Sequence, residues 1–344
     1  AKNPLFFRIT PSGTGYLDEV IPDQPKRLWS WSAGDDSIEG TPVAADGLIF
    51  VGTTSGKIVA LSLSEGKPIW TFDAKTMFPN APLWYQGTLY AVDSDGTCFA
   101  LDGKTGKKRW SHSIDGSVKG SPNAFENMIL FGDQGGVLYA LDRDKGTVRW
   151  KYECDDQIQS SPVIAEGHCF VAGCDAHLHV INVKTGKLVR KIPLEAPTGT
   201  TPAILGDLAL LGTEGSEFLA VDWKKGTIRW RYSCGHSVRT PPGCDGVNVY
   251  FGDQGRTLHA VDIASGNKLW EVKSKSRFDA GIVCVKKKVL AVSFRGIFYI
   301  INTDTGKISF QSRLDGYVTA DPVVSRGCVI LATQEGTVVC YGKP

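Results

Sequence analysis

The residue types with most chemical potential crowd into His168 to Val180, HCFVAGCDAHLHV, which holds His168, Cys169, Cys174, Asp175, His177 and His179. Imidazole, thiolate and carboxylate are the ligand set of zinc. If the run is extended, His177 and His179 share one face. A hairpin partner then sets Phe170 and Ala172 beside them, and the following strand brings Lys191 to His179. A cation next to the imidazoles, with no carboxylate or thiol on that face, opposes a metal, so the expectation is structural histidines and no metal site.

Other suggestive fragments reduce to turns. Asp93 to Gly96, DSDG, opens like a calcium loop but lacks the later Asp and the closing Glu. GDQGG around Gly132 to Gly136 lacks the strand-to-helix context of a phosphate loop. The six histidines fall in different slots, so no Ser-His-Asp or Cys-His set can be assembled and no catalytic residue is nominated. Nine cysteines, Cys98, Cys154, Cys169, Cys174, Cys234, Cys244, Cys284, Cys328 and Cys340, stand mostly where other repeats carry Ala, Ile, Leu or Val. They read as small buried hydrophobes, with a Cys244–Cys284 disulfide the lesser reading.

What must position all of these is a repeat. Gly66, Gly106, Gly146, Gly186, Gly226, Gly266 and Gly306 are each 40 residues apart, and Trp70, Trp110, Trp150, Trp230 and Trp270 follow four positions later, with Arg190 and Phe310 as departures. Pro42, Pro82, Pro122, Pro162, Pro202, Pro242 and Pro322 repeat at the same period, with Ile282 as the break. Within a unit the apolar pattern has period two, and Gly/Asp/Asn signals separate short runs, giving four antiparallel strands. Four-stranded units of this length are propeller blades. The fold class is therefore all-β, an eight-bladed β-propeller. The eighth unit ends without its last strand, and Lys26 to Trp31, KRLWSW, supplies it from the N-terminus, one residue out of register.

The recurring SP…G…LYALD…TG…W resembles the repeat of the pyrroloquinoline-quinone-type (PQQ-like) propellers over roughly residues 27 to 342. Residues 1–26 are read as an N-terminal arm and 27–344 as the propeller. The resemblance implies scaffold more than chemistry. The family's quinoprotein dehydrogenases are longer and use calcium held by Glu and Asn, a catalytic Asp, and a disulfide between adjacent cysteines; here there is no Cys-Cys pair, so no cofactor is expected. Short, loop-poor relatives resemble the scaffold lipoprotein of the outer-membrane β-barrel assembly machinery, and a sensor or adaptor propeller is a second branch. The implied function is a non-catalytic protein-binding scaffold. The alternatives are a quinoprotein-type oxidoreductase or an exported propeller for a small ligand or polysaccharide.

Composition sets limits. The 344 residues are 42% apolar and 22% charged with net charge +2, enough to bury a large core and no argument for an acidic or basic partner. No apolar run is long enough to span a bilayer, so no stable membrane insertion is expected. Ala1-Lys2-Asn3 begins no signal peptide, whereas Phe7-Arg8 partly matches a Phe-Arg-Gly-Pro leader of exported relatives; periplasmic or exported placement is favoured over cytoplasmic, against the reduced cysteines. Cations such as Lys107, Lys108, Lys224 and Lys225 crowd the Gly-turns, and acids such as Asp93, Asp133 and Glu335 the opposite turns. With no aromatic interleaved among the lysines, no nucleic-acid partner is expected.

Three residues ahead of the proline series the sequence varies: Glu39, Pro79, Lys119, Gln159, Gly199, Arg239, Asp279, Thr319. The expected binding site for a protein partner, on a monomer, is this channel-mouth face: Lys119, Gln159, Arg239 and Asp279, with Arg277, Phe78, Phe278 and Tyr317 in the same connections. An internal Arg239–Asp279 pair is the competing expectation.

Overall fold

The computed structural model describes residues 8–344. After β1 (Tyr16–Leu17) and β2 (Lys26–Ser32), the first blade is built from β3 (Val43–Ala45), β4 (Leu48–Gly52), β5 (Lys57–Ser62) and β6 (Pro68–Asp73), innermost to outermost. Blades two to seven repeat that order. The eighth is closed as the sequence implies: β2 pairs antiparallel with Thr337–Gly342, outside Cys328–Ala332 and Val323–Ser325.

The two inner strands and the third are apolar on both faces because each blade is sandwiched between neighbours. The cores lie in the seams: Tyr90, Val92 and Ala100 of blade two pack with Ile129, Phe131 and Leu141 of blade three. The outermost strands alternate exposed and half-buried, as in Val148–Glu153.

Tryptophan clasps the seams. A β-bulge one residue before it, between Ala140 and Leu141 in blade three, re-aims the ring toward the next blade. There its indole N–H donates to a main-chain carbonyl: Trp70 to Gly103 at 3.2 Å, Trp110 to Arg143 at 2.9 Å, Trp150 to Val183 at 3.2 Å, Trp230 to Ile263 at 2.8 Å and Trp270 to Thr303 at 2.7 Å. The ring lies on the repeat glycine; a Cβ at Gly146 would stand 2.6 Å from Trp110. With φ +71° as well, that slot takes glycine for two reasons. In β2 the same bulge falls between Arg27 and Trp29, and Trp29 covers Gly66 and donates to Leu63 at 3.0 Å. The register offset is thus one extra residue between this strand and Pro42.

Residues 8–25 are threaded through the propeller. The carbonyls of Pro11, Ser12, Thr14 and Gly15 accept, at 2.7 to 2.8 Å, the amides of Ile164, Ile204, Cys244 and Cys284. These amides are one slot in four successive inner strands, turned away from their own blades. Asn123 Nδ2 of blade three also reaches Pro11 O, at 3.0 Å. β1 then adds in parallel to Val283–Val285, making blade seven five-stranded. Ile21 is buried in the core between blades seven and eight. The arm supplies the acceptors that a closed ring of inner-strand edges would otherwise leave to water.

Candidate binding face

Inter-blade connections and the turns between second and third strands share one face. Around the axis on that face, Glu39, Pro79, Lys119, Gln159, Asp279 and Thr319 ring a cavity of about 160 Å³. Beneath them runs a relay in which one blade's hydroxyl accepts the previous blade's amide: Ala81 N to Ser121 Oγ at 3.0 Å, Ser121 N to Ser161 Oγ at 2.8 Å, and Ser161 N to Thr201 Oγ1 at 2.9 Å. In this slot blade eight has a carboxylate, Asp321, which accepts the Gly281 amide at 2.6 Å.

Asp321 is bound by Arg8. The guanidinium, with its side chain fully buried, donates Nη1 to Asp321 Oδ2 at 2.8 Å and Nη2 to the carbonyls of Pro242 and Ile282 at 2.5 Å. Sequence reasoning missed this pair. The signal was available: Asp321 is the only acid among Thr41, Ala81, Ser121, Ser161, Thr201, Pro241, Gly281 and Asp321, and Arg8 stands in the leader-like Phe-Arg. Beside the arm, a second cavity of about 370 Å³ between blades one, two, seven and eight is lined by apolar groups such as Ile9, Leu17, Ala45, Trp84 and Val324.

The expected site residues divide. Lys119 is exposed, and Gln159 is half-buried with its amide on Gln157 Oε1 at 3.1 Å. Arg239 does not meet Asp279: it forks onto Glu214 at 2.8 and 3.1 Å, because the adjacent hairpin turn is nearer than the next connection. Asp279 accepts from Gln254 at 2.8 Å and from Arg277 Nε at 2.9 Å. Arg277 lies over the Phe294 ring at 3.9 Å, and Tyr317, 48% exposed, stacks on that ring at 4.9 Å. Phe78 and Phe278 are 1% exposed and belong to the seam cores, where they support the rim from beneath.

The histidine run needs correction. Pairing places Val171, not Phe170 or Ala172, across from His179, a one-residue difference that exchanges faces. A carboxylate is also present: His179 Nε2 meets Asp175 Oδ2 at 2.8 Å while Tyr152 Oη meets Nδ1 at 2.8 Å. The turn folds Asp175 back over the strand, which alternation does not describe. Both ring nitrogens are thereby occupied, as in His259, which lies between Asp253 at 3.0 Å and Tyr232 at 3.2 Å. Burial holds the His179 imidazole below its ordinary value, with Asp175 acting in the opposite sense. All nine cysteines are free thiols.

The opposite face is less one-sided than its turns imply. Lys224 reaches both Asp207 at 2.7 Å and Glu166 at 2.9 Å, Lys184 reaches Glu126 at 2.9 Å, and Arg149 reaches Asp142 at 2.6 Å. Aromatics do lie under its cations, Phe125 beneath Lys184 and Trp223 beneath Lys224. Phe125 comes from the first hairpin of the neighbouring blade, where linear spacing does not place it, whereas Trp223 directly precedes Lys224 in the same turn, an interleaved aromatic that the sequence reading passed over.

Comparison with known proteins agrees with this architecture. The family model described as outer membrane protein assembly factor BamB matches residues 14–123, 110–240 and 254–342. The chain belongs to the BamB family. The BamB of Burkholderia pseudomallei is 26% identical over 179 residues, 48% of this chain and 46% of that protein, so the match spans about half of the curated relative. Among solved structures, BamB from Moraxella catarrhalis superposes with TM-score 0.80 at 15% identity, over 93% of this chain and 100% of that one. A quinohemoprotein alcohol dehydrogenase from Comamonas testosteroni gives 0.84 at 15% identity, over 99% and 81%. Both structural likenesses concern the fold. The axial residues do not fit the quinone site that the PQQ-like resemblance implies: there is no adjacent cysteine pair, and Asp321 is already bound by Arg8.

Proposed function

We propose that this chain is a non-catalytic, protein-binding scaffold whose partner seats on the face of the channel mouth. The observation that supports the reading is the state of the axis. A catalytic centre needs polar groups free to engage a substrate, and here the arm's Arg8 holds the axial carboxylate and the arm's carbonyls take up four inner-strand amides. At the axis itself what remains toward solvent is a shallow polar ring of about 160 Å³, smaller than the 300–1,000 Å³ of most small-molecule pockets. A broad rim with exposed Arg and Tyr side chains has the composition of a protein interface.

The test is Lys119→Glu combined with Arg239→Glu. Both side chains are exposed, so the melting temperature should barely move while recovery of a specific partner from native lysate falls. Undiminished recovery, with loss on reversing Lys107, Lys108, Lys224 and Lys225 instead, would transfer the site to the opposite face.

A further inference from the structure

On the same face, toward blades six to eight, a cleft of about 440 Å³ is lined by Gln254, Arg256, Lys275, Ser276, Arg277, Phe294, Arg295 and Tyr317. Four of these eight are cations and none is a carboxylate. Only Arg277 has an acidic partner; Arg256, Lys275 and Arg295 form no ion pair with any described residue. On the opposite face, cations such as Lys184 and Lys224 are matched by local acids. Arg256 also occupies, at φ +71°, a left-handed turn slot that is glycine in five other blades and Ala176 and Ser216 in the remaining two. A side chain there is disfavoured by its own backbone, and that of Arg256 is exposed.

We propose that this cleft binds an acidic peptide segment carrying an aromatic residue, the segment by which a partner protein engages the scaffold. The inference rests on the scaffold reading and names the chemistry of its partner. Like charges gathered without counterions repel one another and are relieved by an anionic ligand. Arg277 and Tyr317 cover Phe294, so the exposed Tyr317 ring is the surface offered to one aromatic side chain. A single stacking surface favours a peptide over a nucleic-acid strand, which needs successive platforms along a basic track; here the track is interrupted by Asp279 and by Glu335, which accepts the Tyr317 amide at 2.8 Å.

The probe is a fluorescein-labelled peptide of Asp and Glu around one Phe, followed by anisotropy with the full chain. A counterpart with Asn and Gln, one with Leu for Phe, and a mixed-sequence single-stranded oligonucleotide serve as comparisons. Expected results are binding of the acidic peptide, at least ~10-fold weaker binding by the neutral one, and loss as salt rises from about 50 to about 500 mM. Arg256→Glu with Arg295→Glu should weaken it at least ~10-fold at unchanged melting temperature, and Lys107→Glu with Lys108→Glu should not. Tyr317→Ala should remove the preference for Phe over Leu. Equal affinity for the neutral peptide, equal loss in the Lys107 and Lys108 variant, or tighter binding of the oligonucleotide would each overturn the proposal. Failure of the peptide to bind while Lys119→Glu with Arg239→Glu still abolishes partner recovery would overturn this inference and leave the scaffold function standing.

Discussion

Trp150 is half-buried, whereas Trp84, outside the repeat series, is 5% exposed, stacks on Phe50 at 5.2 Å and would overlap any Cβ at Gly103. Recurrence alone makes Trp150 the more costly to remove; burial reverses the order. Trp84→Ala should cost about 3–5 kcal/mol and Trp150→Ala less, read from denaturation midpoints at constant slope. Burial also pushes the Cys154, Cys234 and Cys244 thiols up to about 12 and raises Cys98, Cys169 and Cys284. Since the thiolate is the reactive form, maleimide at about pH 8 should spare the buried Cys98, Cys169, Cys244 and Cys284 in the native protein and modify all nine cysteines after unfolding, as mass spectrometry would report. His179 gives a pH dependence of definite sign. Its folded value is lowered, so the unfolded chain binds the proton more readily and stability falls as pH drops below about 6.5. The melting temperature should decline from about pH 7 to about pH 5, and less steeply in His179→Gln.

The arm is the element that makes the axis what it is. Arg8→Ala strands a buried carboxylate at Asp321, and Asp321→Ala strands a buried guanidinium; each should cost about 3–5 kcal/mol. The double variant should recover part of that loss, because no isolated charge remains. Additive losses in the double-mutant cycle would show that Arg8 acts through its carbonyl contacts alone.

At the scale of the whole molecule, closure by β2 joins the two ends of the chain in one blade. Deleting residues 1–32 removes that strand together with the arm, and leaves Thr337–Gly342 as an open edge. Lower stability and concentration-dependent association are expected, since an unpaired edge templates further pairing. Sedimentation and thermal unfolding check both; a monomer with unchanged melting temperature would show that β2 does not hold the ring.

A spacing of 40 residues in Gly146, Trp150 and Pro162 and their equivalents, together with period-two alternation, was enough to determine blades, their number and their closure. Local turn chemistry and strand pairing are encoded within tens of residues, and repetition averages out single departures such as Arg190. The ring of Lys119, Gln159 and Asp279 at the mouth was legible for the same reason, because equivalent slots must converge on the axis. Contacts between residues far apart in sequence were not. Arg8 and Asp321 are separated by 313 positions, and Arg256, Lys275 and Arg295 converge from three different loops. Those juxtapositions exist only once blade has packed on blade and the arm has reached the axis, because tertiary packing, rather than local pattern, fixes which loops face one another.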